Sequence, residues 1–142
     1  MILLDTNVLS ELIRPAPEPA VTGWVGAQPS TSLFISAMTE AELLFGLAML
    51  RDGKRRHQLA QAIDGLLMED FAGRILPFDS PAASAYARIA SDRRAAGRPL
   101  SQFDAQIASI AASRNAILAT RDLHDFDGCG VRVINPWQGV HI

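Results

Sequence analysis

Four acidic side chains stand where their chemistry would count. Asp5 follows the apolar run Ile2–Leu4 directly, and a charge placed after a buried strand must reach solvent or find a partner, because isolated buried charge is costly. It can cap a following helix or ligate a metal, and Asn7 offers the same capping. Glu40 and Glu42 lie two residues apart in SAMTEAELLFG, so they cannot share one narrow helix face. One can be solvated while the other faces inward, with Gly46 permitting close approach; the plainer reading is two surface acids and a tolerated glycine. Asp104, in PLSQFDAQIASIAA, comes three residues after Ser101, the spacing of a capping-box relative at a helix start that favours negative charge. Thr120 and Asp122 close the run AILATRDLHDF, where a hydroxyl and a carboxylate can orient water at a metal or cap a turn. Asp79 occupies a similar strand exit, whereas Asp125 and Asp127 read as loop acids.

Asp5, Glu42, Asp104 and Asp122 would bring oxygen ligands from separate parts of the chain to one place. Hard divalent ions such as Mg2+ or Mn2+ suit that set, and mutual repulsion would strain the cluster unless cations occupied it. Other chemistries fare poorly. His57, His124 and His141 are scattered, Cys129 is the single cysteine, and no glycine-rich stretch leads into GK[ST]. Zinc, thiol and P-loop mechanisms therefore lack their residues.

The elements that must position these acids alternate along the chain. Strands are expected at residues 2–4, 33–35, 75–78, 116–119 and 131–134. Helices are expected at 8–12, ending at Pro15; weakly at 21–25; at 37–50, with Met38, Leu44 and Ala48 facing inward; at 54–70; at 82–96, after Pro81; and at 101–114, with Asn115 in the turn beyond. Continuous apolar strands separated by helices indicate a three-layer α/β/α domain around a mostly parallel sheet of about five strands. Ligands in such domains gather beyond the carboxyl ends of the strands. With 142 residues, 49% of them apolar, the chain is expected to form one domain over residues 1–142. Thirteen basic and fifteen acidic residues leave a net charge of −2, which excludes a nucleic-acid binder advertised by bulk charge but not a local basic face. No secretory signal or apolar stretch of membrane-spanning length is visible, so a cytoplasmic protein without a membrane partner is expected.

Four segments, LLDTNVLSEL at 3–12, TEAELLFG at 39–46, PLSQFDAQIASIA at 99–111 and LATRDLHDF at 118–126, carry a resemblance that covers essentially the whole chain. In their order and spacing the sequence resembles the PIN-domain nucleases, especially the VapC-type and FitB-type toxins of bacterial toxin-antitoxin pairs. The resemblance implies a PIN-like fold and a divalent-metal-dependent endoribonuclease. Asp5, Glu42 and Asp104 match the family's three principal acids and Asp122 the fourth, with Thr120 at the site hydroxyl and Thr6 and Asn7 in support. Asp5 and Asp104 would hold one or two Mg2+ ions, for which Mn2+ can substitute, with Glu42 and Asp122 binding directly or through water. Many relatives carry TRN where this chain has TRD, a version also found among FitB-like members. The resemblance further implies a homodimer and a small cognate antitoxin whose terminal segment reaches the acidic cleft, operator DNA being met only through that complex.

An RNA substrate needs positive potential on its approach. Arg51, Lys54, Arg55 and Arg56 cluster at one helix junction, and Arg88, Arg93, Arg94 and Arg98 at another; either cluster can guide RNA or simply be solvated. LLFGLAML and the tail residues Pro136, Trp137 and Val140 can serve partner contacts or the core. Two other function classes stand beside the nuclease. A haloacid-dehalogenase-like phosphatase would begin similarly but would carry a second aspartate where Asn7 stands. A receiver-like or nucleic-acid-binding regulatory module would use the acids as caps or for one structural ion, and would bind without cleaving.

Overall fold

The computed structural model describes residues 1–138; Val140 and His141 lie outside the described residues. Each of the first three strands ends on a residue that starts a helix. Asp5 follows β1 (Ile2–Leu4) and accepts from the Thr6 amide at the head of α1 (Thr6–Leu12). Ser36 ends β2 (Leu33–Ser36) and caps α3 (Ala37–Ala48) through the Thr39 amide. Asp79 follows β3 (Ile75–Leu76) and caps α5 (Ser80–Ala95) through the Ala82 amide. These bonds satisfy donors that a helix start leaves free. Between them come α2 (Pro19–Gly26), which has proline in its first turn, and α4 (Lys54–Gly65). Ser101 then caps α6 (Gln102–Ser113), Asn115 turns the chain at φ 53°, and β4 (Ile117–Ala119) and β5 (Val133–Ile134) complete the sheet.

All strand pairings are parallel, in the order β3-β2-β1-β4-β5. Ile2 stands opposite Leu33 on one side and Ile117 on the other, so β1 is the middle strand. The chain winds outward from β1 first through β2 and β3, then through β4 and β5. The strand order therefore reverses at β1, and the crevice beyond the ends of β1 and β4 is where such a sheet presents a ligand site. The strand pleat sends alternate residues to opposite faces. Ile2 and Leu4 pack with Val8, Val21, Leu43 and Ile63 from α1–α4. Leu3 and Leu118 pack on the other face with Ile89 of α5 and with Ile107 and Ile110 of α6. These two helical layers around a parallel sheet make the expected three-layer α/β/α arrangement. Among the described residues no helix is long and apolar enough to cross a membrane.

Two local expectations need correction. The inward face of α3 is Thr39 and Leu43, with Leu47 partly buried; Leu44 and Phe45 are exposed, as is Ala48. The segment is apolar nearly all round, so periodicity alone could not choose the face that docks on the sheet and on α4. The long helix expected at 54–70 is α-helical only to Gly65 and finishes in a π-helical turn over Leu66–Asp70. That turn places Leu66 in the core while Met68 is left 75% exposed.

Candidate active site

The site is assembled where β1 and β4 leave the sheet. The Asp5 amide donates to the Ala119 carbonyl at 2.9 Å, continuing the ladder one step past the strand. Its side chain is 6% exposed. One carboxylate oxygen accepts from the Thr6 amide at 2.8 Å and the other from the Thr120 hydroxyl at 2.7 Å. Asp5 therefore caps α1 and at the same time stands in the wall of a cavity at the sheet's end. Thr120 is fully buried and its hydroxyl has three partners: it donates to Asp5 and accepts from the Asp122 amide at 3.1 Å and from Asn7 Nδ2 at 3.2 Å. Asn7 Nδ2 also lies 3.1 Å from Asp122 Oδ2, and Asn7 Oδ1 accepts from the Arg121 amide at 3.4 Å. One asparagine thus ties the loop after β1 to the loop after β4, using both ends of its amide.

Glu42 reaches the same place from α3. Its carboxylate accepts from the Thr6 hydroxyl at 2.6 Å, and that hydroxyl lies 3.0 Å from the Thr39 hydroxyl. A carboxylate can only accept, so Thr6 spends its one proton on Glu42 and must receive the Thr39 proton. Ser36 in turn lies 3.4 Å behind Thr39. The result is a directed row of hydroxyls, Ser36 to Thr39 to Thr6, ending on Glu42.

Asp104 stands in the first turn of α6, its amide bonded to Ser101 Oγ at 3.1 Å. Asp5, Glu42, Asp104 and Asp122 line one cavity of about 470 Å3, with Thr6 and Asn7 in its wall. Burial above all, helped by the charges of Asp104 and Glu42 and opposed by the Thr120 and Thr6 hydrogen bonds, holds the Asp5 carboxyl up at about 6. The Asp104 carboxyl also sits above its ordinary value, first through burial and then through Asp125 and Asp122, with Ser101 pulling the other way. The cavity therefore contains carboxylates that disfavour one another's charge, the condition that a bound cation relieves.

Among the described residues no group of three acidic, histidine or cysteine side chains is drawn together tightly enough to hold an ion on its own. A small hard cation does not require that, because Mg2+ retains several waters and is commonly held by one or two carboxylates. An all-oxygen donor set around a polar cavity fits such an ion; a zinc site would need nitrogen or sulfur donors that the cavity does not supply.

Several residues depart from the sequence reading. Arg93 is not part of a solvated basic face: it is 7% exposed, and its guanidinium donates to the carbonyls of Arg98, Asp125 and Asp127 and to Cys129 Sγ. It clamps the segment after β4 and is buried away from an incoming phosphate. Arg98 pairs with Asp127 and bonds the His124 carbonyl, and Arg56 bonds the Leu50 carbonyl and Asp52. Arg51, Lys54, Arg55, Arg88 and Arg94 are exposed. Asp79 is occupied by its cap and by Arg114 at 3.4 Å, and it does not line the acidic cavity.

Four residues of the cavity wall carried no site signal in the sequence reading: Ser10, Glu11, Arg14 and Arg121. Glu11 is buried; the Glu18 amide and the Arg14 guanidinium hold its carboxyl below the usual carboxylate range. The spacing of Glu11 and Arg14 is the one visible trace of that pair. Trp137, expected only as an apolar contact, also reaches the cavity. A second cavity of about 540 Å3 adjoins the first, sharing Thr6, Ser10, Arg14 and Glu42 with it, and is lined by Leu43, Leu47, Leu59 and Ile63.

Comparison with known proteins matches residues 2–128 to the PIN domain family. The chain is 41% identical to VapC ribonuclease Y4jK of Sinorhizobium fredii and 42% identical to Toxin FitB of Neisseria gonorrhoeae, each over 97% of this chain and 99% of the other. A solved structure of FitAB bound to the IR36 DNA fragment superposes with a TM-score of 0.92 at 40% identity, covering 99% of both chains.

Proposed function

The chain belongs to the PIN domain family, and from that premise we propose that it is a divalent-metal-dependent endoribonuclease acting as the toxin of a toxin-antitoxin pair. The observation that carries the reading is the convergence of Asp5, Glu42, Asp104 and Asp122 on one cavity at the point where the strand order reverses. Its relatives include a protein described as a VapC ribonuclease and one described as Toxin FitB. The phosphatase reading loses its second acid, since the Asn7 amide is committed to Thr120 and Asp122.

Asp5 and Asp104 are the residues to hold Mg2+ or Mn2+, one or two ions, with Glu42 and Asp122 completing the site directly or through water. When bound, such an ion supplies Lewis-acid activation of water and neutralises charge on the phosphoryl oxygens. The protein's own contribution is orientation. Thr120 and the Thr6 amide each bond one oxygen of Asp5 while leaving lone pairs on both. Thr6 fixes Glu42, and Asn7 together with Thr120 ties Asp122 to the loop that carries Asp5. Among the described residues of the cavity no serine, cysteine or histidine is paired with a base as a nucleophile would be, so hydrolysis by water in line with the departing oxygen is the reaction the residues suit, with Asp104 or Asp122 as the residue to position that water.

The same reading includes a homodimer, a small cognate antitoxin and operator DNA bound only through the toxin-antitoxin complex. A solved relative is described as FitAB bound to a DNA fragment. Support on this chain comes from the apolar cavity that adjoins the acidic one and shares four wall residues with it, a surface along which a partner's apolar segment can deliver a charged end to the carboxylates.

The test is incubation of the purified protein with varied structured RNAs and Mg2+ or Mn2+, alongside Asp5→Asn, Glu42→Gln and Asp104→Asn, with product ends mapped. Metal-dependent cleavage that all three variants lose is expected. Cleavage without metal, or unchanged activity in folded variants, overturns the mechanism.

A further inference from the structure

We propose that Arg121 and Trp137 form a stacking subsite for an unpaired nucleobase of the RNA, beside the bond to be cut; this rests on the ribonuclease reading above. The Arg121 guanidinium carbon lies 5.0 Å from the centre of the Trp137 ring, and both residues line the acidic cavity. Arg121 is exposed. Although Asp5, Glu11, Glu42, Asp104 and Asp122 share that cavity, Arg121 has no ion pair with any described acid. A guanidinium among carboxylates that lays one face on an indole keeps its opposite face and its edge donors available to a ligand.

Both halves of the platform are held in place. Arg121 stands between Thr120 and Asp122, and its amide is bonded to Asn7 Oδ1. Trp137 lies in the 3-10 turn Pro136–Gln138; its amide donates to Asn135 Oδ1 at 2.9 Å, and the preceding Pro136 is buried. The ordering cost of an aromatic contact is thus met before any ligand arrives.

The ligand follows from the charges. The carboxylates repel a bare phosphate track, so affinity near the cut must come partly from an uncharged group. A nucleobase is flat and neutral, and unpaired RNA bases stack on aromatic rings and guanidinium planes. A base held in a duplex cannot be splayed onto the platform, so the subsite selects a single-stranded nucleotide next to the scissile phosphodiester.

The experiment measures binding of random-sequence single-stranded oligoribonucleotides, the same lengths carrying abasic positions, and RNA duplexes. Binding is followed in the Asp104→Asn background by tryptophan fluorescence and anisotropy, and cleavage kinetics are measured in the otherwise wild-type protein. Single strands are expected to quench the fluorescence. Trp137→Ala is expected to weaken their binding by about five- to a hundredfold and to raise KM more than it lowers kcat. Trp137→Phe should retain most of the affinity, and it keeps the test valid if the alanine variant folds poorly. Arg121→Lys should lose affinity despite keeping its charge, and abasic strands should bind the Trp137 protein no better than intact strands bind the Trp137→Ala protein. Unchanged RNA affinity and KM in Trp137→Ala, with wild-type cleavage intact, overturns the subsite alone. A wild-type protein that neither binds nor cleaves any RNA overturns the ribonuclease reading as well.

Discussion

Replacing Asp5 by asparagine is expected to stabilise the metal-free protein above pH 6 while abolishing its response to Mg2+. Burial raises the Asp5 carboxyl from 3.8 to about 6 in the fold. Between those values the folded protein holds a proton that the unfolded chain has released, so stability falls as pH rises through the window and stays low above it. A shift of about two pH units corresponds to about 3 kcal/mol. This is already net of the two hydrogen bonds, because they oppose the shift. Asparagine does not titrate and keeps an acceptor for the Thr6 amide. It turns a donor or a weaker acceptor toward Thr120, which already accepts from Asp122 and Asn7, so roughly 1–3 kcal/mol of the penalty should be recovered. Denaturant unfolding from pH 3.5 to 8 in chelator reads this directly. Asparagine should be more stable by that amount at pH 7, and because wild type regains most of its roughly 3 kcal/mol on acidification to pH 3.5, the difference should shrink to zero or change sign there. Saturating Mg2+ should then raise the wild-type midpoint and leave the variant unmoved. A variant less stable than wild type at pH 7 in chelator, or a difference that does not shrink on acidification, would refute the argument that uncompensated charge is stored at Asp5.

Three further substitutions separate the parts of the site. Thr120→Val removes a buried hydroxyl with three partners; it should cost about 2–4 kcal/mol, one bond being to a carboxylate, and lower the melting temperature by roughly 5–15 °C. Thr6→Val releases Glu42 without touching any acid, and calorimetric Mn2+ affinity should fall about tenfold or more, as when a group supporting a ligand is lost. Arg93→Ala leaves the Arg98, Asp125 and Asp127 carbonyls without their donor; stability should drop by roughly 3 kcal/mol or more. Amide exchange should accelerate across residues 121–130 before the sheet is affected.

How far the molecule could be read from its sequence depends on whether a residue's partner is near in the chain. Strand exits were legible because Asp5, Ser36 and Asp79 each follow an apolar run and cap the next helix within three residues. Asp5, Asp104 and Asp122 were legible because they fall at strand exits or at a helix start, whereas Glu42, inside α3, was set apart from Glu40 only by the resemblance. Arg93 was not: in ASDRRAAGR it is indistinguishable from its solvated neighbours, and the carbonyls that bury it arrive more than thirty residues later. Asn7 looked like a second cap, but its amide is used at Thr120 and Asp122, across the β1–β4 seam. The hydroxyl row from Ser36 to Glu42 joins a strand end, α3 and the head of α1, and no spacing within one segment encodes it. The misassigned face of α3 has the same origin, since docking and not pattern selected Leu43 over Leu44.

The partners of the acids also separate those kept for a cation from those kept for the fold. Asp5, Glu42, Asp104 and Asp122 form no ion pair among the described residues; hydroxyls, amides and one asparagine orient them. Neutral donors fix a carboxylate's direction without cancelling its charge, whereas an arginine would neutralise it and remove the incentive for a metal. Glu11 lines the same cavity but is paired with Arg14 and bonded by the Glu18 amide, with its carboxyl held below the usual range. It belongs to the scaffold that positions Arg14 between the acidic and apolar cavities. Glu11→Gln should therefore change Mn2+ affinity by no more than about twofold, where Asp104→Asn changes it by about tenfold or more. The glutamine should instead loosen Arg14, read as weaker charge-dependent binding at the junction of the two cavities. A loss of metal affinity in Glu11→Gln equal to that in Asp104→Asn would show that ion pairing does not distinguish the two kinds of acid here.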